Sequence, residues 1–503
     1  MKRFLDSPTW GRLAAIFALI VLLGVAPRPH LVAATLAQAQ RAISFGAHNE
    51  AAQKIALAAE QMPWRRELWE LAGREALSGN DPAQALVDFE KASGNGGLSS
   101  EGYLLQGEAY WQSGQLAQAV QSWRVATQLG APALETWNRI LQAQLACHDY
   151  SGAVDSLSIL VNLKPKDGGL RYQLGALLAA RQPDLAVANL RQAAELDPTL
   201  ATQVESLAGS IQSVLGVTDP AYRLVIAGRA LASLGEWSLA AEAFRQATIQ
   251  RPDYAEAWAF WGEALQHPEG QNASSLTGQP GQSQSQECNC CEQNASTGND
   301  PLAVLHKALD LDPESLAANT FLALYWQRQN DYPLALAYLE KAVVSDPNNP
   351  ALSAQMGEVK AISGDLPAAL QAYRRASELA MGQIAYLKLL INFTLQYRYQ
   401  VEETGLPTAR RALQLNPDDP ECFDLMGQVL FQLEDINSAE VFFRRAIDLD
   451  PNAAGALLHL GQLYLKRGST SEAREILTRA LTAAPPGSPV AEAAQALLQS
   501  SYP

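Results

Sequence analysis

Basic charge, cysteine and histidine are all scarce in this 503-residue chain. Lys and Arg number 37 against 52 Asp and Glu, which gives a formal net charge of −15, and no stretch concentrates basic residues. Because phosphate binding needs clustered positive charge, the composition argues against a nucleic-acid partner. Five cysteines are too few for a disulfide scaffold of this length, so stability must come from packing.

Signatures of catalysis are also lacking. The sequence contains no P-loop, no G-x-S-x-G, no H-E-x-x-H and no G-x-G-x-x-G after a strand pattern. The six histidines are scattered without paired spacing. We therefore expect no enzyme activity, no catalytic residue, no cofactor, no metal site and no small-molecule substrate.

Only one long hydrophobic run is present, at residues 13–26, and it follows Lys2, Arg3 and Arg12. Its length as a helix would be about 21 Å, short of the roughly 30 Å hydrocarbon core of a bilayer. Residues 1–34 are therefore predicted to be either a signal peptide or an N-terminal transmembrane anchor, and small residues suited to cleavage follow the run.

The two interpretations give different locations. A retained anchor would leave the N-terminus cytoplasmic and the body of the chain extracytoplasmic, whereas a cleaved signal would give an exported protein. A third interpretation is a cytosolic adaptor in which the run is a buried helix. It is disfavoured because such a helix should be amphipathic, and this run is apolar on every side.

The rest of the chain repeats with a period of 34 residues. Asp-Pro or Asn-Pro pairs place prolines at 313, 347, 417 and 451, and a further proline follows at 485. Aligned on these prolines, each unit has a large residue at position 4, a small one, usually glycine, at position 8, alanine at 20 and 27, and a large, often aromatic, residue at 24. The unit that starts at 420 shows the pattern in Phe423, Gly427, Ala439, Phe443, Ala446 and Pro451.

This spacing has a physical explanation. Apolar residues at i, i+3, i+4 and i+7 on two successive segments predict two amphipathic helices per unit. Small residues at positions 8, 20 and 27 let the two helices approach closely, and the side chain at position 24 fills the space beside them. The closing proline ends the second helix.

The pattern strongly resembles the tetratricopeptide-repeat family. The resemblance implies an all-α, right-handed superhelical solenoid of about twelve helix-turn-helix repeats, starting near residues 32, 66, 100, 134, 168, 221, 255, 316, 350, 386, 420 and 454. Deviations occur at Leu141 and Phe393, where glycine is usual, and residues 199–218 are predicted to form an extra helix. The predicted organisation is repeats over 35–266 and 300–486, with a capping helix at 487–503.

Residues 267–299 interrupt one repeat. This Gln/Ser/Gly-rich segment has almost no apolar residues, which predicts a disordered insert. Its Cys288, Cys290 and Cys291 lack the two separated ligand pairs of structural zinc sites, so a functionally incidental cluster is favoured over a metal or disulfide role. Cys147 and Cys422 fall within helical patterns and are interpreted as core residues.

The predicted function is that of a non-enzymatic scaffold at or beyond a membrane, which binds a protein or peptide partner for complex assembly. The alternative is an enzyme subunit or a metal- or thiol-handling protein that uses the cysteine insert. In the family, first-helix positions 2, 5, 9 and 12 line a concave groove, and acidic residues with interspersed aromatics there suit an extended apolar or basic segment. The groove residues that the resemblance implies are Glu101, Leu104, Glu108, Trp111, Tyr172, Tyr222, Arg229, Tyr397 and Phe431.

Overall fold

A computed structural model describes residues 29–62, 64–94, 96–267 and 300–500. The predicted leader, apart from residues 29–34, and the predicted insert with Cys288, Cys290 and Cys291, apart from His267, lie outside the described residues, so those interpretations stay predictions. No helix in the described parts of the chain combines the length and hydrophobicity of a bilayer-crossing segment.

The described residues form 26 α-helices and no strand, which confirms the predicted all-α solenoid of paired helices. They divide into two compact units, with the boundary between Val304 and Leu305 inside α15. The helices up to this boundary are α1 (Pro29–Ser44), α2 (His48–Gln61), α3 (Arg66–Ser78), α4 (Pro82–Ser93), α5 (Ser100–Gln112), α6 (Leu116–Gln128), α7 (Ala133–Ala146), α8 (Tyr150–Leu163), α9 (Gly168–Arg181), α10 (Pro183–Leu196), α11 (Ala201–Val214), α12 (Pro220–Ser233), α13 (Trp237–Gln250), α14 (Ala255–Ala264) and α15 (Pro301–Leu311).

The second unit continues the alternation of first and second helices. Its helices are α16 (Leu316–Arg328), α17 (Tyr332–Ser345), α18 (Pro350–Ile362), α19 (Leu366–Leu379), α20 (Ile384–Tyr397), α21 (Leu406–Leu415), α22 (Pro420–Gln432), α23 (Ile436–Leu449), α24 (Ala454–Arg467), α25 (Thr470–Ala483) and α26 (Pro489–Ser500). The start of each first helix lies within three residues of the repeat start that the proline spacing predicts.

Helix ends are set by local chemistry. The Asp219 side chain accepts hydrogen bonds from the backbone N–H groups of Ala221 and Tyr222, and Pro220 occupies the first helical position of α12. At the start of α23 the Asp435 side chain accepts from the Ser438 N–H at 3.2 Å. Such caps satisfy N–H groups that have no partner within the helix, so the same short motif begins a helix in many repeats.

In many helix pairs a glycine of the first helix faces a ring or a leucine of the second helix. A Cβ placed on Gly228 would lie 2.6 Å from Phe244 Cε1, and a Cβ on Gly461 would lie 2.6 Å from Leu477. These are positions 8 and 24 of their repeats, and Phe244 is only 1% exposed. The small residue is therefore required by the packing of its own repeat, as the sequence pattern predicts.

The tenth repeat exchanges the sizes of these two residues. Phe393 stands at position 8 and Ala409 at position 24, and both are buried. The Phe393 ring packs 5.1 Å from that of Tyr373 on α19. The turn that follows is irregular, because Arg398 and Gln400 adopt left-handed backbone conformations and Val401–Gly405 forms a π-helical turn. The large and the small residue of the pair are therefore both kept in the core, in reversed order.

The extra helix predicted between two repeats is confirmed as α11, preceded by a 3₁₀ turn at Pro198–Leu200. It separates two groups of helix pairs within the first unit, which we call the first array (α1–α10) and the second array (α12–α14). Since neighbouring helices in such an array run in opposite directions, one unpaired helix reverses the direction of the helices of the second array.

Contacts at this junction show the reversal. Tyr172 in the first turns of α9 lies near Glu236, which precedes α13, and Arg181 at the end of α9 pairs with Glu242 in α13. The helices α9 and α13 therefore run in the same direction, and α9 runs opposite to α12. In addition, α9 packs closely against both α12 and α13. Elsewhere, apart from the helices adjacent to it in sequence, a first helix packs closely only against the first helix of the next pair.

One carboxyl group in the first array is buried with incomplete hydrogen bonding. Asp88 in α4 has no exposed surface, its Oδ1 accepts from Gln84 Nε2 at 3.1 Å, and its Oδ2 has no partner. Burial raises the pKa of Asp88 to about 6. The folded state therefore retains a proton that the unfolded chain loses near pH 4.

We expect this group to make stability depend on pH. The stabilisation that the protonated Asp88 carboxyl gives to the folded state is complete below the pKa of this group in the unfolded chain. It is lost as the pH rises through about 6, the pKa in the folded state. An Asp88→Asn variant should therefore exceed the parent in unfolding free energy by up to about 3 kcal/mol at pH 7.5, and this excess should vanish near pH 4. Urea unfolding of both proteins across this range measures it, and an excess that does not vary with pH would contradict the assignment.

Candidate partner-binding surfaces

Ion pairs join successive first helices of the first array. Arg74 of α3 lies 2.5 Å from Glu101 of α5, and Arg139 of α7 lies 2.9 Å from Glu108 of α5. All four side chains are at least 31% exposed, so each pair contributes little to stability. Their effect on recognition is larger, because Glu101 and Glu108 do not present the unpaired negative charge that the sequence suggests.

The two predicted apolar residues of α5 are Leu104, which lies between Glu101 and Glu108, and Trp111, which lies about one turn beyond Glu108. Both are half-buried against the core formed by Trp123 and its neighbours. The Trp111 ring centroid is 6.1 Å from that of Trp123, whose Nε1 donates to the Leu104 carbonyl at 3.1 Å. The structure therefore brings together four predicted residues, Glu101, Leu104, Glu108 and Trp111, on one helix.

Tyr172 on α9 is also half-buried, packed against the central core of the first unit. Desolvation by burial, followed by the nearby Glu236 carboxylate, raises the pKa of Tyr172 to about 12. Its phenol is therefore neutral at physiological pH. It can donate a hydrogen bond as well as provide an apolar ring face.

Tyr222 and Arg229 belong to the second array. Tyr222 is 36% exposed, and the Arg229 guanidinium lies 5.2 Å from the centroid of the Phe260 ring on α14. The first-helix residues Leu104, Trp111 and Tyr172 belong to the first array. Because α12 runs opposite to α9, Tyr222 and Arg229 do not continue this row of residues. That these residues bind a partner stays a prediction.

In the second unit, Tyr397 and Phe431 are both half-buried. Tyr397 ends α20 and packs 5.5 Å from Phe393. The Phe431 ring on α22 lies 5.0 Å from Nζ of Lys466 on α24. The first helices α22 and α24 are also joined by a hydrogen bond of 2.8 Å between an Asp424 carboxylate oxygen and Nδ1 of His459.

Two residues that contact the predicted surface residues were not among the candidates named from the sequence. Arg139 and Lys466 occupy positions 6 and 13 of their repeats, next to the four positions that the family resemblance implies. Both are cations that cover a predicted residue on the preceding first helix. Their neighbourhood on the helical face could have indicated them, because residues three or four apart lie side by side.

Metal ligation and thiol chemistry are the other possibilities that the sequence raises. They contain no group of three His, Cys, Asp or Glu side chains placed to hold a metal ion. Cys422 is buried, and burial raises the pKa of its thiol to about 12, which confirms a core residue with an inert thiol. Cys147 is different: it is half-buried at the end of α7, so its interpretation as a core residue was wrong.

Comparison with known families identifies the repeat. Two family models, both described as "Tetratricopeptide repeat", match residues 430–498 in one case and residues 71–133, 227–269 and 302–350 in the other. The matched segments occur in both compact units.

Curated relatives and solved structures are similar over parts of the chain. Anaphase-promoting complex subunit 7 of Arabidopsis thaliana is 26% identical over 179 residues, which cover 35% of this chain and 31% of the relative. Protein O-mannosyl-transferase TMTC1 of Homo sapiens is 27% identical over 188 residues, covering 37% of this chain and 20% of the relative. The chain thus spans less than a third of each of these two relatives.

Among solved structures, the one described as "YrrB: a TPR protein with an unusual peptide-binding site" is 22% identical. It matches 38% of this chain and 97% of its own length, with a TM-score of 0.29.

Proposed function

Since the chain belongs to the tetratricopeptide-repeat family, whose fold supports protein–protein interaction, we propose that it is a non-enzymatic scaffold. In this proposal it binds peptide segments of partner proteins on its first-helix surfaces and so assembles a complex at or beyond a membrane. One observation carries the proposal: Leu104 and Trp111 lie on one face of α5, a helix that two ion pairs join to the first helices on either side.

The pairing of charges favours one kind of partner. A strongly basic segment would have to compete with Arg74 and Arg139 for Glu101 and Glu108. An extended segment with an apolar or aromatic anchor needs no such competition, because it can pack on Leu104 and Trp111 while its backbone amides bond to the rim. Aromatic anchors that are partly buried in this way are typical of binding hot spots.

The membrane part of the proposal depends on the N-terminal segment. Its support is the order of basic residues, then an apolar run, then small residues over positions 1–39. In the proposed arrangement this segment either anchors the scaffold with the helical arrays beyond the membrane or is cleaved after export.

The test is isolation of the tagged full-length chain from detergent-solubilised membranes, followed by identification of stoichiometric partners. The Trp111→Ala variant should lose the partner, with an affinity loss of at least about tenfold, because a buried aromatic anchor contributes about 2 kcal/mol or more. A Val87→Ala variant is the matched control, since Val87 is an apolar residue, 45% exposed, on the second helix α4.

Two results would contradict the proposal. Equal partner binding by the parent and Trp111→Ala, at equal thermal stability, would exclude the first-array surface. Recovery of the intact chain in the soluble cytosolic fraction would exclude the membrane location while leaving the scaffold role open to the same partner test.

A further inference from the structure

A cavity of about 350 Å³ lies at the junction that α11 creates, away from the groove positions. Its wall is formed by the turn between α9 and α10, the first turn of α12 and the end of α13. The charged groups of this wall are those of Arg181, Arg223 and Asp184. Gln182 and Gln250 contribute amides, and Leu185 and Leu224 contribute apolar surface. The volume is at the lower end of ligand-binding cavities, about that of one or two residues.

The charges around Arg181 do not balance. The buried Glu242 carboxylate, with 2% of its side chain exposed, is bonded by both Arg181 and Arg245 and also accepts from Gln246 Nε2 at 2.9 Å. Two guanidinium groups thus share one carboxylate. On the opposite wall Arg223 pairs with Asp184 at 2.6 Å, which is neutral as a pair. One positive charge is left over beside the cavity.

Hydrogen-bond donors are also in excess there. Each guanidinium has five N–H donors, arranged in a planar fork. In the hydrogen bonds among described residues, Arg181 and Arg223 each donate through Nη1 only. Their side chains are 25% and 19% exposed, so the remaining donors are partly removed from water. These donors keep some exposed surface, so an anion in the cavity would replace water as their partner and form charge-assisted hydrogen bonds with them.

We propose that this junction cavity is a binding site for a carboxylate group. A carboxylate matches the planar guanidinium fork and accepts two parallel hydrogen bonds from it, and the surplus charge supplies the counter-ion. Leu185 and Leu224 add an apolar wall for the atoms that carry the carboxylate. The carboxylate can come from the C-terminus of a partner segment or from a small free acid, and the site does not depend on the proposed groove binding.

The test uses the full-length chain and calorimetric titration with three probes: N-acetyl-leucyl-leucine, the same dipeptide as its C-terminal amide, and succinate. We expect at least one acid to bind, and the amide to bind at least about tenfold more weakly than the dipeptide acid if the source is a peptide terminus. Binding of succinate alone identifies a small free acid as the source.

Substitutions test whether the acid binds in this cavity. Arg223→Gln should weaken the binding of the acid at least about tenfold, because it removes one guanidinium from the cavity wall. Arg251→Gln is the matched control: Arg251 also forms an Arg–Asp pair at the start of α12, with Asp219, but it does not line the cavity. Trp111→Ala should leave the titration unchanged.

The proposal is overturned if neither acid binds at concentrations up to about 1 mM, or if Arg223→Gln binds as tightly as the parent. Equal weakening by Arg223→Gln and Arg251→Gln also overturns it, because that pattern indicates a general loss of charge at this end of α12 and not a cavity.

Discussion

Replacing Phe244 with alanine is expected to lower the free energy of unfolding by about 3–5 kcal/mol. The ring is 1% exposed, fills the space over Gly228 and stacks 5.3 Å from Phe260 on the following helix. Its removal would leave a cavity inside one repeat and at the contact with the next. Urea unfolding followed by circular dichroism measures the loss.

The effect of Gly228→Ala on stability is expected to have opposite signs in the parent and in the Phe244→Ala variant. In the parent, Gly228→Ala should destabilise by about 1–3 kcal/mol, because the new Cβ would lie 2.6 Å from the Phe244 ring. In the Phe244→Ala background the ring is gone, so the added methyl should stabilise by about 1 kcal/mol through helix propensity and cavity filling. A double-mutant cycle measures this coupling.

A control glycine lies in α11. Gly209 is exposed, and a Cβ there would meet only Glu205 Oε1 at 3.8 Å. Gly209→Ala should therefore stabilise by about 0.5–1 kcal/mol in both backgrounds. Identical effects of Gly228→Ala with and without Phe244 would show that the two residues are not in contact.

The second large effect is expected at Glu242. Glu242→Gln should lower the free energy of unfolding by about 2–3 kcal/mol, because it leaves the partly buried Arg181 and Arg245 without a counter-charge. The expected loss of unfolding free energy is smaller than for a fully buried ion pair, because the two arginine side chains are 25% and 37% exposed. Urea unfolding at constant ionic strength provides the measurement.

Asp184→Asn is the comparison for this prediction. It removes the carboxylate of the neighbouring Arg223 pair, but the Asp184 side chain is 54% exposed, so the expected loss is about 0–1 kcal/mol. Equal losses for the two variants would mean that Glu242 behaves as a surface residue, and the reversed packing of α9 on α13 would then be wrong.

Position 22 of the repeat shows why Glu242 could not be recognised from sequence. In regular repeats this position points to solvent, as Val87 and Val441 do with 45% and 65% exposure. Glu242 occupies the same position and is 3% exposed. The difference has no local cause, because it arises from α9, which packs against the second helix of the next pair only where α11 intervenes.

The tenth repeat marks a second limit. Its sequence shows that Phe393 replaces the usual glycine, and this predicts a departure from the pattern. The sequence does not show that Ala409 provides the compensating space, nor that Arg398 and Gln400 adopt left-handed conformations in the turn between them. Those features depend on how the ring packs against Tyr373 of the preceding repeat.

For the candidate binding surfaces, too, part was predictable from the sequence and part was not. Family positions indicated residues on first helices, and four of them, Glu101, Leu104, Glu108 and Trp111, lie on α5. The charge state of that surface was not predictable, since Arg74 and Arg139 neutralise the two carboxylates from neighbouring repeats. A pattern within one repeat cannot specify which side chains meet between repeats.

The sequence by itself determined the helix pairs, their boundaries and the glycine and ring positions that close each pair. It could do so because these features arise from contacts within one 34-residue repeat and from capping groups within a few residues. Only the tertiary structure decided the reversal at α11, the burial of Glu242 and the cavity between Arg181 and Arg223. These depend on contacts such as that of Arg181 with Glu242, which are 61 residues apart, and on which helix faces meet when whole repeats stack.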